Sequence, residues 1–255
     1  MRTHLDVKIA ERYCSASQKS RVLTETWVYN EAFCPNCGSS LNQFQKGKPV
    51  ADFYCAKCSE EYELKSKMDS IGLRIVDGAY RTMLERLKSE NNPNLFLLSY
   101  DLGSFVVQNF LVVPKHFFVP EIIERRKPLT ETARRAGWVG CNILLKDIPL
   151  TGKIFYVKGG EVESKERILE NWRKTLFLRE EKELATKGWI LDIMNCIDKI
   201  GKEEFSLSDV YAFEAVLKQR HPNNRHIKDK IRQQLQFLRD KGYLDFVARG
   251  KYRLN

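Results

Sequence analysis

Val50-Ala51-Asp52-Phe53-Tyr54-Cys55-Ala56-Lys57-Cys58-Ser59-Glu60-Glu61-Tyr62-Glu63-Leu64-Lys65 is the stretch on which the reading of this chain turns. Residues 50–54 and 61–65 are rich in aromatic and aliphatic side chains and read as two strands joined by the Cys55-x-x-Cys58 turn. Upstream, Cys34-x-x-Cys37 supplies a second pair, with seventeen residues between the pairs. Each short turn presents two sulfurs to one metal and the intervening segment folds back, so Cys34, Cys37, Cys55 and Cys58 are expected to hold one structural Zn²⁺.

Strand alternation puts Glu63 and Lys65 on one face of the second strand and Tyr62 and Leu64 on the other. Asp52 stands on the neighbouring strand. Two carboxylates can hold Mg²⁺, which activates water and neutralises charge developing on a phosphate, and an adjacent ammonium stabilises that charge further. Asp52, Glu63 and Lys65 are therefore the candidate catalytic residues, with Asp52 and Glu63 as magnesium ligands. As a bare pattern the triplet is equally compatible with a salt bridge on an exposed strand. Glu25, on a helix before the first cysteine pair, reads as a solvated acid, the alternative reading being a carboxylate that assists metal binding.

The chain has 255 residues, 43% of them hydrophobic, and a net charge of +10. That length suits two domains, and the apolar runs are strand-sized, too short to cross a bilayer. The N-terminal residues carry no apolar segment of a secretory leader, so a reducing cytoplasm is the expected setting, with thiolates rather than disulfides. Cys14, Cys141 and Cys196 are expected to be buried small hydrophobes. Charge is uneven along the chain. Residues 218–255 hold eleven Lys or Arg and three Asp, a net +8, whereas residues 185–217 carry −3. Such a step marks one end of the molecule for a polyanion.

Helical spacing predicts helices at 17–30 and 78–90, and a further one carrying Ile168, Trp172 and Leu176. The turn at 91–94 leads into a buried strand at 95–100, and strands follow at 105–113, 141–145 and 153–157. The charged run Arg179-Glu180-Glu181-Lys182-Glu183 is placed as a linker, dividing the chain into 1–183 and 184–255. Helices at 188–196, 208–219 and 227–241, then a hairpin formed by 243–247 and 251–254, predict a winged helix.

At this point a resemblance enters. The quoted hairpin resembles the catalytic hairpin of the PD-(D/E)XK nucleases, Asp52, Glu63 and Lys65 matching the motif's aspartate, acid and lysine. Phe33-Cys34-Pro35-Asn36-Cys37-Gly38, Pro49 through Cys55, Ala133-Arg134-Arg135-Ala136-Gly137-Trp138 and Ile227-Lys228-Asp229-Lys230-Ile231-Arg232-Gln233-Gln234-Leu235 are similar to segments of the methyl-directed type IIM restriction endonucleases. The similarity covers essentially the whole chain. It implies an α/β restriction-endonuclease-like domain with a zinc-binding hairpin, joined to a C-terminal winged helix. It also implies Mg²⁺-dependent cleavage of double-stranded DNA at GATC methylated on adenine, with both domains reading the site. Ala51, where the motif name has Pro, departs from the pattern but takes no part in the chemistry.

Candidate DNA contacts follow. Arg225, His226, Lys228, Lys230, Arg232, Gln233 and Gln234 are taken to lie off the Ile227/Ile231/Leu235 face. Gln pairs with adenine, Arg with guanine, and Lys with phosphate. Arg249, Lys251 and Arg253 on the wing are expected to hold backbone. Arg134, Arg135 and Trp138 form a candidate reading loop in the first domain, where Trp138 would otherwise be a core residue. A monomer is expected. The competing reading is a non-catalytic regulator, a zinc-stabilised effector domain joined to a winged-helix DNA reader.

Overall fold

The computed structural model describes residues 1–45, 51–89 and 92–255, so Val50, Glu90 and Asn91 of the expected elements lie outside the described residues. The organising element is the strand Asn94–Tyr100, every residue of which is buried. Counting all strands and helices in chain order, α1 is Ala16–Glu31, β1 Asn42–Gln43, β2 Phe53–Tyr54, β3 Glu61–Met68, β4 Arg74–Ala79, α2 Tyr80–Lys88, β5 Asn94–Tyr100 and β6 Val107–Val113. Then come β7 Ile123–Arg125, β8 Gly140–Leu144, β9 Ile154–Lys158, β10 Glu161–Val162, α3 Lys165–Arg173 and α4 Phe177–Glu180. A seven-stranded mixed sheet runs in the order β1-β2-β3-β5-β6-β9-β10, with β3 and β5 parallel.

This sheet separates two apolar layers, as its alternation requires. Phe96, Leu98 and Tyr100 of β5, Tyr62 of β3 and Phe110 of β6 face a layer closed by Leu23, Trp27 and Val28 of α1 and Trp172 of α3. Leu95, Leu97, Leu111 and Val113 face the other way, toward α2 and a second, three-stranded sheet ordered β4-β8-β7. Glu63 and Lys65 alternate with Tyr62 and Leu64, and so stand on this second side.

The C-terminal unit comprises α5 Leu184–Ile200, β11 Glu204–Ser206, α6 Leu207–Tyr211, α7 Glu214–Arg220, α8 Ile227–Asp240, β12 Leu244–Ala248 and β13 Lys251–Leu254. Its sheet runs β11-β13-β12, and the whole is a winged helix-turn-helix. The expected helix at 208–219 is two helices, α6 and α7, broken at Ala212 and Phe213. Ser206 and Asp209 close a capping box that fixes where α6 begins. Gly78 and Ala79 belong to the end of β4 rather than to α2, which starts at Tyr80.

The apolar layer behind β5 continues without a break into Trp189, Ile193, Ile231, Leu235 and Leu238 of the C-terminal unit. Polar ties reinforce the junction: Asn195 Nδ2 donates to Asp147 O at 2.6 Å, Leu150 N–H to Asp198 at 2.7 Å, and Arg220 pairs with Asp147 at 3.0 Å. A Cβ at Gly188 would come within 3.2 Å of the Glu121 carboxylate, a tight contact that this side chain would have to relax. Cys141 and Cys196 are buried as expected, whereas Cys14 is exposed. Among the described residues no helix is long and apolar enough to cross a membrane.

Candidate active site and DNA-facing elements

The two cysteine turns have the same construction. In each, the first cysteine's carbonyl accepts from the residue four further on, Gly38 N–H to Cys34 O and Ser59 N–H to Cys55 O, both at 2.8 Å. Its own N–H then reaches one residue beyond, Cys34 to Ser39 O at 2.8 Å and Cys55 to Glu60 O at 2.9 Å. The turn position has φ near +74° at Gly38 and +59° at Ser59, so Ser59 adopts the left-handed conformation that glycine takes in the first turn. The four Sγ atoms lie within 4.8 Å of one another, with Cys34 to Cys58 and Cys37 to Cys55 at 3.4 Å. A tetrahedral metal bound at ~2.3 Å from sulfur requires edges of about 3.8 Å, so the cluster fits one metal ion with little adjustment. Tyr62 Oη is 3.1 Å from Cys34 Sγ. Burial pushes the Cys34 thiol well up, while at Cys37 hydrogen bonds from Ser39 and the neighbouring thiols outweigh burial and bring it to about 6.

From this cluster the chain passes directly into β3 and the charged groups. Lys65 Nζ is 2.7 Å from Glu63 Oε1 and 2.9 Å from Asp77 Oδ1, and Arg86 of α2 reaches the other Glu63 oxygen at 3.5 Å. Asp77 points inward by the alternation of β4, as Ile75 does, and pairs with Cys141; a bulge follows it, where Ala79 pairs with Gly140 and Gly78 is left unmatched. Burial raises the Glu63 carboxyl above its usual range, an effect Lys65 and Arg86 only partly offset. At Lys65 burial opposes the charge, but Glu63 and Asp77 outweigh it and hold the ammonium well above its ordinary value.

Asp52 sits one step beyond the Phe53↔Tyr62 pair, opposite Glu63 in the antiparallel register. Its N–H donates to Tyr62 O at 2.9 Å, and its Oδ2 accepts the Leu64 N–H at 2.7 Å. No ion pair joins Asp52 to Lys65 among the described residues. Glu25 is not the solvated acid expected, because its side chain is largely covered, 2.6 Å from Arg21 and 3.2 Å from Gln43 Nε2. It belongs to α1, on the opposite side of the sheet from Glu63.

In the loop between β7 and β8, Arg134 and Arg135 are exposed and Trp138 is half-buried. The Arg135 guanidinium lies 4.8 Å over the indole, which rests on Gly140 so closely that a Cβ there would meet the ring at 2.8 Å. Leu129 N–H to Trp138 O and Gly137 N–H to Leu129 O close the loop. On α8 and the preceding turn, Arg225, His226, Lys228, Arg232 and Gln233 are exposed and Lys230 is half-buried. Lys228 pairs with Glu214 and Arg232 with Asp229 and the Tyr211 hydroxyl. Arg249, Lys251 and Arg253 are exposed on the wing, Arg253 paired with Glu204.

Residues 1–181 match the family described as DpnI: Dam-replacing family, and residues 185–254 match the Dam-replacing HTH domain. The chain belongs to the Dam-replacing family. As a DpnI-family restriction enzyme it pairs an endonuclease domain with a helix-turn-helix DNA-binding domain.

Within this Dam-replacing chain, one expected DNA contact is corrected. Gln234 is 2% exposed, on the stripe formed by Ile227, Ile231, Leu235 and Leu238, because it follows Ile231 by three residues and Ile227 by seven. In this conformation it cannot reach a groove. Two residues of the charged cluster, Asp77 and Arg86, were not anticipated. The alternation of Arg74-Ile75-Val76-Asp77 is the sequence signal for β4 and puts Ile75 and Asp77 on its inner face, but that this face meets Lys65 is not visible in it.

Proposed function

We propose that this protein is an Mg²⁺-dependent type II endonuclease that cuts double-stranded DNA at GATC sites carrying methylated adenine. The observation that carries the reading is the buried cluster in which Lys65 stands 2.7 Å from Glu63, with Asp52 opposite on the hairpin edge, in a chain that ends in a winged helix. Asp52 and Glu63 would hold the magnesium. The donor set suits it: both are hard oxygen ligands, Asp52 Oδ1 has no hydrogen-bond partner among the described residues, and burial leaves the Glu63 charge under-compensated. Bound there, the ion supplies an activated water and neutralises charge on the phosphate. Lys65 keeps its proton in this environment and is placed to stabilise charge on the phosphate being cut. Cys34, Cys37, Cys55 and Cys58 hold a structural zinc that stiffens the hairpin bearing Asp52 and Glu63.

Methyl reading is divided between the winged helix, through the exposed groups of α8, and the loop carrying Arg134, Arg135 and Trp138. A single apolar pocket distinguishes one methyl group by only about 1–3 kcal/mol, so two readings that must both succeed multiply the discrimination. The test is digestion of duplexes with fully, singly or unmethylated GATC in the presence of Mg²⁺, by the full chain and its Trp138→Ala variant. The reading expects cutting of the fully methylated duplex and reduced methyl preference in the variant. Binding without cutting would favour a regulator, and unchanged preference in Trp138→Ala would leave the winged helix as the sole reader.

A further inference from the structure

Lys65 is held between two acids, and only one of them belongs to the motif that the hairpin carries. Its ammonium has three N–H donors. One is directed at Glu63 Oε1 and one at Asp77 Oδ1, at 2.7 and 2.9 Å, which leaves a third for a phosphate or a water. Glu63 is also the carboxylate assigned to the metal, so the Lys65–Glu63 contact and a Glu63–metal contact draw on the same group. Asp77 has no such second duty. Its side chain is 5% exposed, comes from a different sheet, and faces inward on β4 two residues after the buried Ile75. Next to it, Cys141 Sγ donates to Gly78 O at 3.4 Å and ties the bulge to β8.

We infer that Asp77 is a positioning residue: it anchors the Lys65 ammonium from the side away from the strand edge, so that Lys65 keeps its place when Glu63 is engaged by a metal. The inference rests on the reading of Lys65 as the group that acts on the scissile phosphate. Without Asp77, the only carboxylate within reach of Lys65 in the ion pairs described is Glu63, and lysine would then compete with the metal for it. The register of β4 on β8 makes the anchor available: Asp77 is the last residue paired regularly, with Cys141, before the bulge at Gly78.

A double-mutant cycle in the full chain tests this, using Asp77→Asn, Lys65→Ala and the double variant. Single-turnover cleavage of a methylated GATC duplex, DNA affinity, and thermal melting of metal-free protein are measured on each. Asp77→Asn is expected to slow cleavage by roughly 10- to 100-fold, a range that a misplaced catalytic group commonly produces, with DNA affinity within about threefold of wild type. The double variant should be no slower than Lys65→Ala, because Asp77 acts through Lys65. Asp77→Glu should recover part of the lost rate, and the melting temperatures should be likewise non-additive in the absence of metal. Wild-type cleavage by Asp77→Asn would overturn the inference. So would a double variant slower than Lys65→Ala by the same factor that Asp77→Asn shows alone, which would mark an independent role such as metal ligation. If Lys65→Ala itself cut at the wild-type rate, the assigned active site would fail, an outcome separate from either of these.

Discussion

Glu60 Oε1 lies 2.8 Å from the Arg179 guanidinium, joining the second cysteine turn to the short helix that precedes the C-terminal unit. The other oxygen of Glu60 accepts from Asn94 Nδ2 at 2.8 Å, at the start of the central strand. One buried carboxylate thus links the hairpin, the sheet and the junction between the two halves of the chain.

Removing one partner of this pair should cost more than removing both. A buried charge left unpaired costs about 3–5 kcal/mol, but Glu60 keeps Asn94 and a longer contact to Lys115 at 3.9 Å, and the Arg179 side chain is 37% exposed, so we expect about 1–2 kcal/mol for Arg179→Met. Glu60→Gln, which can still bond Asn94, should cost less, and combining it with Arg179→Met should recover part of the loss. Chemical denaturation of the three variants checks this, and strict additivity would contradict the linkage.

Stability should fall as the pH is lowered below about 6.5, in part through His116. Burial, reinforced by Arg179, Lys187 and Lys115, holds this imidazole well below its usual value. Thr175 Oγ1 donates to Trp172 O at 2.7 Å and so accepts from His116 Nε2 at 2.9 Å, which places the ring proton on Nε2. The neutral form is the folded form. Once the pH drops below the unfolded value, the unfolded chain binds a proton that the folded chain refuses, so stability is lost by up to ~1.4 kcal/mol per pH unit until the depressed folded value is reached. His116→Gln should flatten the dependence between pH 6.5 and 5. An unchanged slope would assign the acid sensitivity elsewhere.

Gln234 carries a buried Oε1 without a hydrogen-bond partner. Leucine has nearly its volume and no polar atom to leave unpaired, so Gln234→Leu should raise stability by about 1 kcal/mol. It should leave DNA affinity within a few-fold of wild type. Gln233→Ala, at an exposed neighbour, should weaken binding instead. A large loss of affinity in Gln234→Leu would show that α8 rearranges on DNA and brings this side chain out.

Metal analysis of the purified chain should find one zinc. Cys55→Ser should lower both the melting temperature and the cleavage rate, because Cys55 directly follows β2, which begins next to Asp52. A zinc-free protein of full activity would remove the zinc assignment.

Much of this architecture was legible in the sequence because it depends on local periodicity. The unbroken apolar run of β5, the four-residue spacing of Ile227, Ile231 and Leu235, and the paired cysteine turns each carry their own signal. Features that depend on distant packing were not legible. Asp77 enters the charged cluster because β4 belongs to a separate sheet, paired in register with β8, whose approach to β3 no local pattern announces. Gln234 is polar, yet its place in the helical stripe, three residues after Ile231, turns it inward. The break between α6 and α7 has no glycine or proline to announce it. Likewise, the linker expected at 179–183 begins inside α4, which ends at Glu180, and the apolar layer passes beneath it into the C-terminal helices. Methyl reading is for that reason better tested in the full chain than in separated halves, which would expose Trp189 and its neighbours.

The central claim is that Glu63 and Lys65 perform the chemistry while other basic groups hold the DNA. Its most direct test is single-turnover cleavage of a fully methylated GATC duplex in Mg²⁺ by Glu63→Ala and Lys65→Ala, with affinity measured on the same duplex at fixed salt. Both variants are expected to bind within a few-fold of wild type and to cut at least ~10³-fold more slowly. Wild-type cutting by either variant would contradict it.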